Sequence, residues 1–219
     1  MEWRIIVGAA ALGALALTLA FLSDRRSRRR REQESLPPDR RVPGLVEPAS
    51  PAYLSAEAAN TPPAGAPGER LPAVERERLR AGRSTPQLVS GWADPRFVTD
   101  QESGWAVLHD ALVVVVDAVG SVRELLPLVE NAAAADRPLV VVTGAMDANT
   151  LDTLAVNVVQ RTRRALVVKH PPEELRAAAL DLGVDVVERS SLQAGWCPPA
   201  FFCPVTVWVS SSSGSWFMR

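Results

Sequence analysis

Residues 111–169 read ALVVVVDAVGSVRELLPLVENAAAADRPLVVVTGAMDANTLDTLAVNVVQRTRRALVVK, with three short apolar runs separated by two helical segments. The runs are rich in β-branched residues: Leu112 to Val116, Leu139 to Val142 and Leu166 to Val168. Apolar runs without polar alternation are typical of strands covered on both faces, as in a parallel sheet. The stretch therefore predicts a βαβαβ unit of the α/β class with right-handed crossovers.

Local signals place the helices and extend the unit. A capping box runs from Ser121 to Glu124, and either Asp147 or Asn149 can cap the second helix. A third helix is predicted between Pro171 and Gly183, because proline favours helix starts and glycine favours helix ends. The run Val184 to Val187 then predicts one more strand, which makes the unit βαβαβαβ.

The carboxyl ends of the strands, where ligands of α/β sheets usually bind, carry Asp117, Thr143 and Gly144. Neither GxGxxG nor GxxxxGK[ST] follows any of the runs, so we predict no nucleotide site and no cofactor. An enzyme that uses Asp117 and Thr143 is the lowest-ranked interpretation, because lone acids at strand ends are more often caps.

Histidine and cysteine are scarce in this chain, which has two of each. His109 and His170 have no serine or cysteine beside them in a local motif, so no nucleophilic relay is predicted. Cys197 and Cys203 lie close together without a histidine, so zinc would lack ligands. We therefore predict no metal site, no catalytic residue and no enzymatic activity.

Residues 5–22 form an uncharged apolar segment, which would span about 27 Å as a helix and could cross a bilayer. A cleaved signal peptide is the alternative, but signal peptides carry positive charge before the apolar run. Here six arginines lie between Arg25 and Arg31, after the run. The positive-inside rule predicts a single-pass anchor in the plasma membrane of a bacterium, with the N-terminus outside and the C-terminal domain cytoplasmic.

The arginine cluster and the net charge of -1 bear on possible partners. Arginine runs can bind nucleic acid, but beside a membrane segment topology and anionic lipid explain them with fewer assumptions. We therefore expect membrane lipid as a partner through the N-terminal helix, and no nucleic acid.

Composition divides the chain into four parts. Residues 1–31 are the predicted anchor with its arginine cluster, and residues 32–86 are a Pro/Ala-rich linker that we expect to be an extended spacer. Within the linker, Ala73 to Ala81 predicts a short charged helix with a solvated face. Residues 87–190 are the α/β domain, and residues 191–219 are an atypical tail. The tail segment PVTVWV alternates like a strand that could cover a sheet edge, or it is a frayed terminus; both readings stay open.

The first crossover helix has an apolar arc wider than the ~100° stripe that one packing face requires. The arc consists of Val122, Leu125, Leu126, Leu128, Val129, Ala132 and Ala133. Either part of this surface stays open, or both sides are covered by the domain. The packing stripe of the second helix is Leu151, Leu154, Ala155 and Val158.

Four segments in order resemble the apical domain of group I chaperonins, the GroEL family. They are GWADPRFV (91–98), SVRELLPLVE (121–130), RPLVVV (137–142) and LDTLAVN (151–157). The resemblance extends from about Gln87 to Glu188 and implies a chaperonin apical-domain-like fold, isolated and truncated. Nothing resembles the family's equatorial ATP-binding or intermediate domain, so ring assembly and ATP hydrolysis are not implied.

In that family the apical domain binds non-native polypeptide in an apolar groove between two helices, beside an extended segment. By matching position, the resemblance implies these polypeptide-binding residues: Trp92, Arg96 and Phe97 from the extended segment; Leu126, Val129 and Ala133 from the first helix; Leu151, Ala155, Val156 and Asn157 from the second. Arg96 is charged and Ala155 is smaller than the family's usual residue, and both would weaken an apolar groove.

These observations predict a membrane-anchored, ATP-independent polypeptide-binding module, a chaperone-like holdase whose partners are non-native polypeptides. The alternative is a membrane-tethered scaffold that binds one specific folded protein through the same surface and has no chaperone activity. A holdase accepts many unfolded clients, whereas a scaffold enriches one protein.

Overall fold

The computed structural model describes residues 55–63, 70–82 and 88–219. The predicted membrane segment at residues 5–22, the arginine cluster and most of the linker lie outside the described residues. Within the described ranges, no helix is both long enough and apolar enough to cross a membrane.

A five-stranded sheet forms the centre of the domain, with the strand order β3-β2-β1-β4-β5. The strands are β1 (Ala106–Val119), β2 (Leu139–Met146), β3 (Ala165–Lys169), β4 (Phe202–Ser210) and β5 (Ser215–Met218). Strands β1, β2 and β3 are parallel, as predicted. Strands β4 and β5 add antiparallel pairs on the other side of β1, so the sheet is mixed rather than parallel.

The three predicted apolar runs form the interior of the sheet. Val113 to Val116, Val140 to Val142 and Leu166 to Val168 are fully buried. Strands without an exposed face must be covered on both sides, which explains the absence of polar alternation. Helices on the two faces of the sheet provide this cover.

The helices of the described part are α1 (Ala56–Ala59), α2 (Ala73–Ala81), α3 (Val122–Ala134), α4 (Ala148–Val159), α5 (Leu175–Leu182) and α6 (Arg189–Gln193). Single 3₁₀ turns span Pro95–Phe97, Pro172–Glu174 and Pro199–Phe201. Helices α3 and α4 are successive right-handed crossovers, so they lie side by side on one face of the sheet. Helix α5 belongs to the connection that leads from β3 back across the sheet to β4, and it packs on β1 and β2 from the other face.

The predicted caps of α3 and α4 are confirmed in the structure. Ser121 caps α3, and its side chain accepts a hydrogen bond from the Glu124 backbone N–H. Asp147, rather than Asn149, caps α4 by accepting from the Thr150 backbone N–H. Helix α5 ends at Gly183, whose φ of 64° is the left-handed conformation that glycine adopts without strain.

Two local predictions are wrong. The apolar run predicted the first strand only from Leu112 onward, but β1 already begins at Ala106 and pairs with β4. Val184 to Val187 was assigned a strand, but only Val187 forms a bridge, with Val116. In both cases partners distant in sequence decide the conformation. Strand β4 pairs with the first half of β1 and so extends it toward the N-terminus. Val187 can pair with β1 only at Val116, past the residues that β4 occupies.

The tail is part of the sheet and not a separate element. Strands β4 and β5 lie beyond residue 190, where the predicted domain ended, and Trp208 and Trp216 are buried. The PVTVWV segment is therefore a strand, and the frayed terminus is excluded. Cys197 and Cys203 are both buried free thiols. Burial raises the pKa of the Cys197 thiol to about 11, which disfavours the reactive thiolate.

Helix α2 matches its predicted bounds but is not simply a solvated helix. Leu79 packs with Trp105 and Trp216 in a small apolar cluster. The Arg76 guanidinium donates to the Asp100 carboxylate at 3.0 Å, and both side chains are buried. The last part of the predicted linker therefore belongs to the folded domain.

Candidate functional site

The predicted binding residues come from three elements that the fold brings together on one face. Helices α3 and α4 are neighbours, and the 3₁₀ turn Pro95–Phe97 contacts α4 and β3. The extended segment before this turn follows the free edge of β3: Trp92 bridges to Val168, and the Ala93 N–H donates to the Val167 carbonyl at 2.8 Å. The predicted arrangement of two helices beside an extended segment is present.

Helix α3 leaves apolar side chains uncovered by the described residues. Val122, Leu126, Val129 and Ala133, which we call the α3 stripe, follow one another at i, i+4, i+7 and i+11 and share one helix face. Val122 is 39% and Leu126 48% exposed, Ala133 is exposed and Val129 is half-buried. Leu125 and Leu128, on the side of α3 that faces the sheet, are buried in the core. The over-wide arc therefore includes an open part.

The α3 stripe leads into a cleft of about 220 Å³ between the C-terminal ends of α3 and α4. The predicted residues Val129 and Ala133 belong to its lining. The other lining residues are Ala132, Asp136, Arg137, Leu139, Leu154, Arg161, Thr162, Arg163, Arg164 and Ala165. The cleft thus joins apolar side chains of both helices to a charged rim.

Helix α4 exposes less apolar surface than the sequence suggested. Ala155 was expected in the groove, but its side chain is fully buried and packs in the core. Leu151, Val156 and Asn157 are half-buried. The Asn157 amide donates to the Thr153 carbonyl at 2.8 Å and accepts from the Thr162 hydroxyl, so it fastens the helix end. Ala155 forms the contact between α4 and the sheet, which explains its small size.

In the extended segment the predicted residues mainly have structural contacts. Phe97 is 2% exposed and lies in the core, so it does not offer the expected apolar surface. Trp92 is half-buried, and its indole N–H donates to the Gly104 carbonyl at 3.1 Å. Both side chains anchor the segment against the sheet.

Arg96 is held in a network of ion pairs. Its guanidinium donates to Asp94 at 2.8 Å and to Asp152 on α4 at 2.6 Å. These bonds raise the pKa of Arg96 and lower the pKa of Asp94. The charge that would weaken an apolar groove is therefore already compensated within the domain.

A short segment of the chain itself lies against α4. The Gln160 side-chain amide donates to the carbonyls of Ala58, Ala59 and Thr61 at 2.8–3.0 Å. Arg96 donates to the Asn60 side-chain oxygen at 2.9 Å. Val156 and Gln160 are one helical turn apart, so the α1 segment lies beside the end of α4 that carries Val156.

Glu124 supports the N-terminal end of α3. The sequence indicated only its place in the capping box and not this wider role. Its carboxylate accepts from Arg189 at 3.0 and 3.1 Å and from the Gly120 N–H at 2.6 Å. These bonds, above all the one from Arg189, hold the pKa of Glu124 below its ordinary value despite burial. Only the capping-box pattern signalled this residue, because Arg189 is distant in sequence.

One serine–histidine pair unforeseen in the sequence occurs at the end of β3. The His170 Nδ1 atom lies 3.1 Å from the Ser90 hydroxyl, and His170 Nε2 lies 3.6 Å from Glu174. Burial lowers the pKa of His170, because it disfavours the charged imidazolium. The neighbouring Gly91 packs against the backbone of Ser211 so closely that a Cβ at position 91 would lie 1.8 Å from the Ser211 carbonyl oxygen. The packing at Gly91 suits a role in fixing the extended segment to the sheet better than a substrate pocket.

The strand ends Asp117 and Thr143 have local partners. The Asp117 carboxylate accepts from the Ala118 N–H at 2.6 Å, and the buried Thr143 hydroxyl donates to the Ala145 carbonyl at 2.9 Å. Among the described residues, no group of three or more His, Cys, Asp or Glu side chains could hold a metal ion. The best-formed candidate site is therefore the α3 stripe with its cleft.

Comparison with known proteins supports a chaperonin-like domain. No family model matches the chain. Over 82 residues, which are 37% of this chain, it is 42% identical to "Chaperonin GroEL 1" of Mycolicibacterium gilvum (strain PYR-GCK). The chain covers only 15% of that relative. The resemblance to the GroEL family is thus confirmed for a truncated part.

Two solved structures of the chaperonin gp146 from the bacteriophage EL 2 (Pseudomonas aeruginosa) are similar at 14% sequence identity. Their TM-scores are 0.48 and 0.47, and they cover 59% and 60% of this chain. This chain in turn covers 28% and 27% of theirs.

Proposed function

We propose that this chain binds extended or partly unfolded polypeptide at the α3 stripe and the adjoining cleft, without ATP. The observation that carries the proposal is the open apolar surface of α3. Val122 and Leu126 stay exposed on a helix whose other side packs against the sheet. Contiguous apolar surface of this kind is typical of a site for polypeptide side chains.

Binding would be driven by the removal of client apolar side chains from water. Burying roughly 100 Å² of apolar surface contributes about 2.5 kcal/mol. Ordering the client opposes binding by about 0.5–1.5 kcal/mol for each immobilised side chain. A stripe of four residues therefore predicts weak, reversible binding with little sequence preference, which suits a holdase.

Independence from ATP and the absence of catalysis are part of the proposal. The similarity to GroEL 1 covers 15% of that protein. The strand ends, where a phosphate group would bind in an α/β sheet, carry no glycine-rich phosphate loop. We therefore expect client binding to be the same with and without ATP.

Membrane anchoring through residues 5–22 is proposed from the apolar segment and the arginines that follow it. It would hold the domain at the cytoplasmic face of a bacterial plasma membrane and concentrate it near emerging or damaged polypeptides. After carbonate washing of membranes, the full chain should stay in the membrane fraction. Its release would refute the anchor and leave the polypeptide-binding proposal untouched.

The central experiment measures how the full chain, in a non-ionic detergent, suppresses the aggregation of several chemically unfolded proteins. The wild-type chain should suppress aggregation, and Leu126→Glu should lose this activity because a charge interrupts the α3 stripe. Leu180→Glu is the matched control, because Leu180 is 79% exposed on α5 at the other face of the sheet. Circular dichroism checks that both variants remain folded.

The scaffold for one folded partner is the second candidate. The observation that favours it is the narrowness of the surface, since Phe97 and Ala155 are buried and α1 lies on α4. If the folded wild-type chain suppresses no aggregation, the holdase proposal fails. Enrichment of a single protein from membranes by wild type, but not by Leu126→Glu, would then establish the scaffold.

A further inference from the structure

The cleft between α3 and α4 combines an apolar floor with a basic rim. Val129, Ala132 and Leu154 belong to the floor. The rim carries the guanidinium groups of Arg137, Arg161, Arg163 and Arg164 against the single carboxylate of Asp136. The lining therefore has an excess of three positive charges, although the net charge of the whole chain is -1.

Both helices end in an unusual way at this rim. The residue after each helix cap, Asp136 after α3 and Arg161 after α4, has a positive φ, 50° and 56°. Glycine is the usual residue at this position, since a Cβ makes the left-handed conformation unfavourable. Each helix instead carries a charged side chain that lines the cleft. Aspartate tolerates the left-handed conformation, so the cost falls mainly on Arg161, where a charged side chain takes the position that glycine usually occupies.

Two of the four rim arginines, Arg137 and Arg163, donate to neutral acceptors in the described part of the chain. Arg137 donates to the Asp110 carbonyl at 2.7 Å and Arg163 to the Thr162 carbonyl at 3.3 Å, and both acceptors are neutral. Arg164 lies 3.5 Å from the Asp136 carboxylate. The two helix C-termini contribute about half a negative charge each, which offsets only part of the excess.

We propose that this cleft selects polypeptide segments in which an apolar side chain is flanked by aspartate or glutamate. The proposal rests on the proposed function and specifies its client class. The apolar side chain lies on the floor between α3 and α4. The flanking carboxylates pair with the rim arginines, whose planar guanidinium groups can bind a carboxylate with two parallel hydrogen bonds.

The test uses the full chain in non-ionic detergent and three fluorescein-labelled peptides with one shared apolar centre. The flanking residues are glutamate, glutamine or lysine, and fluorescence anisotropy measures each Kd. The glutamate peptide should bind roughly three- to tenfold tighter than the glutamine peptide, because exposed ion pairs each contribute modestly. The lysine peptide should bind most weakly. At high salt the three Kd values should converge, since the charges are screened.

Variants locate the preference. Arg163→Glu should remove the advantage of the glutamate peptide and leave the glutamine peptide unchanged. Arg176→Glu, the same charge change on the exposed side of α5, is the matched control and should keep the preference. Asp136→Asn should increase the preference, because it removes the only rim carboxylate and asparagine tolerates the left-handed conformation.

Each outcome separates the two proposals. Equal binding of the three peptides overturns the selection of acidic segments but leaves polypeptide binding intact. No binding of any peptide by a folded chain refutes the proposed function itself. A preference for glutamate that survives Arg163→Glu overturns the role of this rim. The role of this rim is also overturned if Arg163→Glu loses binding to anionic lipid vesicles but keeps the preference for the glutamate peptide. That result would assign the rim arginines to a membrane surface.

Discussion

Helices α3 and α4 lie side by side on the same face of one sheet, yet they differ in how much apolar surface they leave open. Helix α3 exposes Val122 and Leu126, whereas α4 buries Leu154 and Ala155 and has α1 and the turn Pro95–Phe97 against it. Both helices looked like parts of one binding groove in the sequence. A neighbour from a distant part of the chain therefore decides whether an apolar helix face becomes core or surface.

The largest effect is expected from a substitution in the sheet that both helices share. Trp208→Ala should lower the free energy of unfolding by about 3–5 kcal/mol, because Trp208 is fully buried where β4 meets β1. Urea denaturation followed by circular dichroism measures this loss. Trp196→Ala is the control, because Trp196 is exposed and should lose little stability. A comparable loss in both variants would mean that the loss of stability does not come from burial in the sheet.

The same substitution on the two helices should have opposite consequences. Ala155→Leu should destabilise the fold by roughly 1–3 kcal/mol, because the position under α4 has no space for added methyl groups. Ala133→Leu should leave the stability within about 0.5 kcal/mol and tighten client binding, because it enlarges the α3 stripe. Urea denaturation and peptide anisotropy on the two variants test this pair. Equal stability losses would contradict the assigned difference between the helices.

The pH dependence of stability should report the support at the N-terminus of α3. The pKa of Glu124 is lowered, so its ion pair with Arg189 stabilises the fold above the ordinary glutamate pKa of 4.5 and loses this effect as the pH falls. Glu124→Gln should cost on the order of 1 kcal/mol at pH 7, since water screens half-exposed Arg189.

Below pH 4 the stability difference between wild type and Glu124→Gln should shrink, as measured by urea denaturation at several pH values. A difference that stays constant with pH would show that the carboxylate charge does not support α3.

The smallest effect is expected at α1. Gln160→Ala removes the amide that donates to three carbonyls of the α1 segment, so α1 should detach from α4. Hydrogen–deuterium exchange should then increase at the backbone amides of Ala59 and Asn60, and client binding should rise about twofold as Val156 becomes accessible. Gln193→Ala, on the opposite side of α3, should change neither quantity. Unchanged exchange in Gln160→Ala would mean that this contact does not hold α1.

Local patterns in the sequence were sufficient for much of the central unit. The apolar runs predicted the interiors of β1, β2 and β3, and Ser121 and Asp147 marked the starts of α3 and α4. The wide apolar arc of α3 left two readings open, an uncovered part or full cover by the domain, and the exposure of Val122 and Leu126 decides for the first. These features follow from residues that are neighbours along the chain, so periodicity and capping chemistry are enough to recognise them.

Other features could not be predicted because their causes are distant in sequence. Nothing near Phe97 indicated that the core would bury it, whereas the periodicity of α4 had already placed Ala155 in a packing stripe. Arg76 and Asp100 pair across the predicted linker boundary, and Glu124 meets Arg189 only in the folded chain. The basic rim of the cleft was missed for the same reason, since the cleft is lined by residues from both helix ends and two strands.

Local spacing along the chain is enough to predict the α/β alternation, the helix caps and the resemblance to a chaperonin apical domain. The completion of a mixed sheet by the tail, the packing of α2 on the domain and the open face of one helix follow from contacts that form only in the folded chain. Burial is a property of the assembled neighbours, and a side chain's own sequence context does not contain it.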